Sequence, residues 1–218
     1  MNKNIGIFWL RKDFRLLRNE ALAYASKNHE QVSAIYIYKK NEFIKREAQK
    51  WWLHESLKNF RESLNKININ LEVVESSDYK KIFDEITSKN NFSLYWNKIY
   101  EPDFLAFDKK ISNLLSLKKV SYKIFKGNLL NESNEIKKKD GTPFKVFTPF
   151  WKNAEKFYLE KGYNKDSNVK PKKKRIDFLG SKFDIGEIKP KKNWHTKFKK
   201  YWVPSESDAL KKINSFLT

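Results

Sequence analysis

Cysteine is absent from the 218 residues, which excludes a disulfide framework, a thiolate zinc site and a cysteine nucleophile. Its absence fits a reducing compartment, and the chain is expected to be cytoplasmic. Glycine is scarce. The six residues Gly6, Gly127, Gly141, Gly162, Gly180 and Gly186 build neither a G-x-G-x-x-G turn nor a Walker loop, so the common phosphate cradles are missing. The three histidines, His29, His54 and His195, are far apart and lack metal-ligand spacing, so no metal site is expected. There is no G-x-S-x-G elbow, and the scattered carboxylates mark no acid/base pair, so no catalytic residue is assigned. No apolar run approaches the roughly 18 residues of a membrane span. The apolar stretch Ile5–Trp9 soon meets Arg11, Lys12 and Asp13, which excludes a signal peptide.

What is plentiful is positive charge and aromatic surface. The formal charge is +20, from 46 basic and 26 acidic residues. A surplus of this size points to a polyanion, nucleic acid first, or else to a lysine-biased proteome, because arginine appears only six times. Aromatic residues make up 16% and apolar residues 39% of the chain, enough for a core.

Apolar β-rich runs alternate with amphipathic ones. Strands are expected at residues 4–9, 32–38, 70–75, 92–97 and 120–125. Helices are expected at 20–27, 47–66, 78–89, 103–118, 148–159 and 206–216. This alternation predicts an α/β fold over residues 1–160, with a doubly wound, Rossmann-like, five-stranded parallel sheet. Ligands of such sheets sit beyond the carboxyl ends of the strands, which directs attention to the loops after Trp9, Tyr38 and Asn97. Residues 161–200 read as a basic extended connector, and 201–218 as a terminal helix whose apolar stripe needs a partner.

Three local features carry chemistry. Arg11, Asp13 and Arg15, just past the first strand, either order that loop as an ion-pair network or bind an anion. Trp51 and Trp52 are adjacent on one helix, about 100° apart, so one belongs in the core. The other is free to be a stacking platform or an interface. The Lys172-Lys173-Lys174-Arg175 cluster either touches phosphate or is a solvated linker charge run.

Several segments carry a family resemblance. Phe8–Leu16 (FWLRKDFRL) with Asn19–Leu22 (NEAL) resembles the opening of DNA photolyases and cryptochromes. So do Trp51–Leu57 (WWLHESL), Trp96–Pro102 (WNKIYEP), Gly141–Trp151 (GTPFKVFTPFW) and Trp202–Glu206 (WVPSE) with Ala209, Leu210 and Phe216. The Trp-Trp-Leu-His form resembles bacterial cyclobutane-dimer photolyases that carry a folate antenna. Arg18 stands where the family usually has Asp, and Ser205 where it usually has Gly.

The resemblance implies the N-terminal antenna domain of a deoxyribodipyrimidine photolyase. It places the start of the flavin-binding helical domain at 201–218, with the rest of that domain beyond Thr218. The whole enzyme binds flavin adenine dinucleotide, flips a pyrimidine dimer from the duplex and splits it with light. The alternatives are a separately encoded half pairing with a flavin-binding partner, a cryptochrome-like photoreceptor fragment, or a stand-alone nucleotide- or DNA-binding module. The resemblance also implies an antenna site: methenyltetrahydrofolate, or a deazaflavin or flavin mononucleotide, held near Trp51, His54, Glu101, Asp103 and Phe104. Lys145, Lys152, Lys172, Lys173, Lys174 and Arg175 are expected to face DNA and hold it weakly, through charge.

Overall fold

The computed structural model describes residues 5–89, 91–132, 134–161 and 167–218. Asn4, expected to open the first strand, and Gly162 with the start of the connector lie outside them. Five parallel strands form one sheet in the order β3-β2-β1-β4-β5. They are β1 (Ile5–Leu10), β2 (Gln31–Tyr38), β3 (Asn70–Glu75), β4 (Phe92–Asn97) and β5 (Ser121–Phe125). The helices are α1 (Glu20–Asn28), α2 (Glu47–Asn65), α3 (Tyr79–Ser88), α4 (Pro102–Leu117), α5 (Phe147–Lys161) and α6 (Glu206–Leu217). The expected α/β fold class is the observed one.

β1 shows why the sheet is covered on both faces. Side chains alternate along a strand, so Phe8 and Leu10 point one way and Ile7 and Trp9 the other. Phe8 and Leu10 join a cluster with Leu22 of α1 and Leu57, Phe60 and Leu64 of α2. Ile7 and Trp9 join Phe83 of α3 and Ile111 and Leu115 of α4. A strand buried on both faces has no polar stripe, which is why β1 reads as a continuous apolar run.

Local chemistry sets the helix starts. Asn19 accepts a hydrogen bond from the Leu22 amide at 3.2 Å and caps α1, so Arg18 in place of the family's Asp leaves that end satisfied. Asp78 caps α3, and Ser205 accepts from Asp208 N to cap α6. Pro102 opens α4, where a missing N–H is tolerated.

Between residues 167 and 205 the chain, expected as an extended connector, has no α-helix or strand and only short 3-10 turns at Ile185–Ile188 and Asn193–Lys200. This segment forms no second core, yet it is strapped to the first. Phe178 joins the α3/α4 cluster, while Ile185 and Ile188 join the α1/α2 cluster, so the chain crosses the sheet edge at β3. Glu72, buried on β3, fixes the crossing. Its carboxylate accepts the amides of Phe178 (2.6 Å), Leu179 (2.9 Å), Gly180 (2.6 Å) and Ser181 (3.3 Å), plus the Ser33 hydroxyl at 3.0 Å. Gly180 has φ +70°, a conformation glycine adopts at little cost. The sequence signal was weak because this segment buries a few separated apolar residues with no helical or strand period.

α6 differs from the other helices. None of its residues is buried, and Leu210, Ile213, Phe216 and Leu217 lie exposed. Its start is tied to the β1 loop: the Glu206 carboxylate accepts the Leu16 and Leu17 amides at 2.8 and 2.7 Å, and Lys212 donates back to the Tyr201 carbonyl at 2.6 Å. Among the described residues, no helix is long and apolar enough to cross a membrane.

Candidate functional site

The loop after β1 organises the carboxyl edge of the sheet. Arg11 is buried, with its Nη1 2.7 Å from Asp108 Oδ1 and its Nη2 3.2 Å from Asp108 Oδ2 on α4. The same Nη2 donates to the Asn97 carbonyl, and the guanidinium lies 4.8 Å over the Trp9 ring. Asn97, the last residue of β4, donates through its side chain to Asp13 and Asn19 and accepts the Ala21 amide at 3.1 Å. β1, β4, α1 and α4 thus meet in one hydrogen-bonded knot.

Burial pushes the Asp13 carboxyl above its ordinary range, while the Asn97 hydrogen bond and the nearby Arg15 charge oppose the rise. Both terminal nitrogens of Arg11 tie the loop to α4 and β4, while its buried Nε has no hydrogen-bond partner among the described residues.

Two crevices flank β1. The first has a volume of about 490 Å³ and opens over the ends of β1 and β2. Its wall is aromatic: Phe14, Tyr36, Phe43, Trp52, Tyr79 and Phe104. Arg11, Lys12, Glu42 and Gln49 supply its polar groups. Burial and the nearby Glu42 carboxylate push the Tyr79 hydroxyl up to about 12, so it stays a neutral donor. The second crevice, of about 480 Å³, lies over the ends of β1, β4 and β5, with Lys12, Arg15 and Tyr100 on its wall. Lys12 pairs with Glu101 between the two and sits 4.9 Å over the Phe104 ring.

Not all the residues expected near the antenna come together. Phe104 lines the first crevice, whereas Glu101 lines the second and pairs there with Lys12. Asp103 is exposed in the first turn of α4. Trp51 and His54 are buried elsewhere. Trp51 packs under Trp194, His195 and Phe198, with centroids 5.9–6.5 Å away. His54 lies 3.3 Å from Glu55, and burial pulls its pKa below the ordinary histidine value. Of the tryptophan pair, Trp51 is the core member and Trp52 the exposed one on the crevice wall.

Sequence reasoning missed Tyr36, Glu42 and Phe43. Their signal was positional: Tyr36 is near the end of β2 and the other two are in the loop that follows. Among the described residues, no His, Asp and Glu cluster is arranged to hold a metal ion.

The residues expected to face DNA also divide. Lys145, Lys152, Lys173 and Lys174 are exposed. Lys172 is turned inward, its Nζ donating to the carbonyls of Ser26 at 2.5 Å and His29 at 2.7 Å. Arg175 donates to the Asn70 side chain. Both contacts help hold the strap onto the domain, Lys172 by donating to backbone carbonyls and Arg175, itself exposed, by donating to a side-chain amide.

Residues 6–172 match the DNA photolyase family. The chain belongs to that family. It corresponds to the N-terminal α/β domain of photolyases. The deoxyribodipyrimidine photo-lyase of Agrobacterium fabrum is 32% identical over 217 residues, which is 97% of this chain and 44% of the relative. Cryptochrome-1 of Arabidopsis thaliana is 26% identical over 97% of this chain and 32% of its own length. The crystal structure of a bacterial class III photolyase from Agrobacterium tumefaciens superposes with a TM-score of 0.81 at 28% identity, covering 97% of this chain and 44% of that one. An archaeal photolyase from Sulfolobus tokodaii, at 20% identity and a TM-score of 0.68, shares the fold. This photolyase-family chain therefore spans less than half the length of the relatives it matches.

Proposed function

We propose that this chain is the antenna-chromophore domain of a deoxyribodipyrimidine photolyase, acting with a flavin-binding domain in cis or on a separate chain to repair pyrimidine dimers in DNA. The observation that carries the reading is the aromatic crevice over β1 and β2. A flat heterocycle of the folate, deazaflavin or flavin mononucleotide type needs ring walls and a few convergent polar groups, and a crevice of this size and lining supplies both. Trp52, Phe104, Tyr36 and Phe43 would wall the ring system. Glu42 would accept ring N–H groups and Lys12 would meet an anionic tail. Methenyltetrahydrofolate is the favoured occupant, because a pterin is rich in N–H donors. Bound there, the chromophore supplies light absorption and passes excitation to the flavin. This chain's residues bind and orient it.

The α/β unit with its strap is one domain, and residues 201–218 open the flavin-binding helical domain. Their exposed apolar stripe is the surface such a domain would cover. Exposed lysines, Lys145, Lys152, Lys173 and Lys174, add weak charge-driven contact with DNA phosphate. A chain free of cysteine suits a cytoplasmic site of action.

The test is light-driven repair of a dimer-containing oligonucleotide by the chain combined with a flavin-binding domain. Loading the chain with chromophore should raise the repair rate under light that the antenna, and not the flavin, absorbs. An unchanged rate in that band would remove the antenna role.

A further inference from the structure

α5 presents two faces of different character. Phe150, Ala154 and Tyr158, spaced four residues apart, turn toward the domain. Phe150 meets Phe144 with centroids 6.3 Å apart, Ala154 is fully buried, and the Tyr158 hydroxyl donates to the Asn131 side chain. The neighbouring face carries Phe147 and Trp151, one helical turn apart. Their rings are nearly parallel, 11° between planes, with centroids 6.3 Å apart. Phe147 is 72% and Trp151 44% exposed, and Val146 beside them is 63% exposed.

The charge around this pair is one-sided. Residues 137–156 hold six lysines (Lys137, Lys138, Lys139, Lys145, Lys152, Lys156) and two acids (Asp140, Glu155). The Asp140 carboxylate is committed to Thr142, accepting its amide at 2.9 Å and its hydroxyl at 2.7 Å. That turn, closed by the Lys138 amide on the Thr142 carbonyl at 2.9 Å, holds the three-lysine run immediately before the aromatic segment.

We propose that the exposed Phe147–Trp151 ring pair, with Lys145 and Lys152 beside it, is a stacking platform for unpaired bases, so that this domain binds single-stranded DNA. The chemistry is that of a sequence-tolerant single-strand site: ring faces for bases, flanked by cations for the backbone. A duplex keeps its bases stacked inside and offers these rings nothing, whereas a single strand offers both bases and phosphates. The charge decides between occupants. An apolar protein surface would gain from the rings but strand the lysines' charge against it, while a nucleic acid complements both. The proposal needs no antenna, no flavin and no light, so it stands or falls separately from the photolyase reading.

The experiment is fluorescence anisotropy in the dark, with the chromophore-free 218-residue chain, a labelled undamaged oligothymidylate and a matched labelled duplex. The double variant F147A/W151A should bind the single strand about tenfold or more weakly, because two stacking surfaces for bases are removed. It should bind the duplex as the parent does. F147Y/W151F, which keeps the rings, should retain single-strand binding. K145A/K152A should weaken both ligands and flatten the salt dependence, by about 0.7 in log–log slope for each single-strand phosphate that is no longer neutralised. Unchanged single-strand affinity in F147A/W151A overturns the platform, as does an equal weakening on both ligands. A change from dimer to monomer in F147A/W151A with DNA binding intact also overturns it, since the rings would then join two copies of this chain.

Discussion

Arg11 and Asp108, 97 positions apart in sequence, meet in a forked ion pair, with Nη1 2.7 Å from Oδ1 and both side chains buried. The pair ties the loop that walls both crevices to α4. A buried pair broken on one side leaves the other charge without a partner in a dry site. Asp108→Ala or Arg11→Met should each lower unfolding free energy by about 3–5 kcal/mol. The double variant Arg11→Met with Asp108→Leu should lose less than the sum of the two. Urea unfolding measures it. Single losses under about 1 kcal/mol, the range of exposed pairs, would mean the knot does not hold the loop.

Glu72 makes a second prediction. Glu72→Gln puts an amide nitrogen where one carboxylate oxygen now accepts backbone N–H groups from the strap. Each buried donor left without an acceptor costs about 1–3 kcal/mol. The variant should unfold at lower urea and be cut faster by protease within residues 178–188. Cleavage at the parent's rate would show that Phe178, Ile185 and Ile188 hold the strap without it.

The strap also shows where sequence reading ended. The strands and helices were legible because two-sided burial gives apolar runs, and α2 and α3 have clean helical stripes. The strap offers three isolated apolar anchors and one distant carboxylate, and no periodicity marks them. The same holds for the crevice. The loop after Tyr38 and the end of β1 were legible as crevice positions from topology, but that Trp51 is the buried ring depends on its cover by Trp194, His195 and Phe198, which are far away in sequence. Lys172 read as a surface cation because nothing local announces the Ser26 and His29 carbonyls that it meets.

Asp13 sets a pH dependence whose sign follows from burial. Its folded pKa lies above the unfolded value of 3.8, so between the two the native state holds a proton that the unfolded chain has released. Stability from this group therefore falls as pH rises through that window. Asp13→Asn keeps an acceptor for Asn97 and removes the ionisation. The gap between parent and variant unfolding midpoints should shift in the variant's favour as pH rises from about 4 towards neutral. A gap independent of pH would place Asp13 in a wetter site than its burial indicates.

The central claim is tested most directly by titrating methenyltetrahydrofolate, flavin mononucleotide and a deazaflavin into the purified chain, following the chromophore's absorbance and fluorescence. At least one should bind. Trp52→Ala and Phe104→Ala should each weaken it about tenfold, since each removes a stacked ring worth roughly 1–1.5 kcal/mol together with its buried area. Trp51→Ala, which removes a core ring outside the crevice, should lower stability by about 3–5 kcal/mol and leave the affinity of the folded fraction close to the parent's. If no chromophore binds, or if Trp51→Ala abolishes binding in folded protein while Trp52→Ala and Phe104→Ala leave it intact, the aromatic crevice over β1 and β2 is not the antenna site.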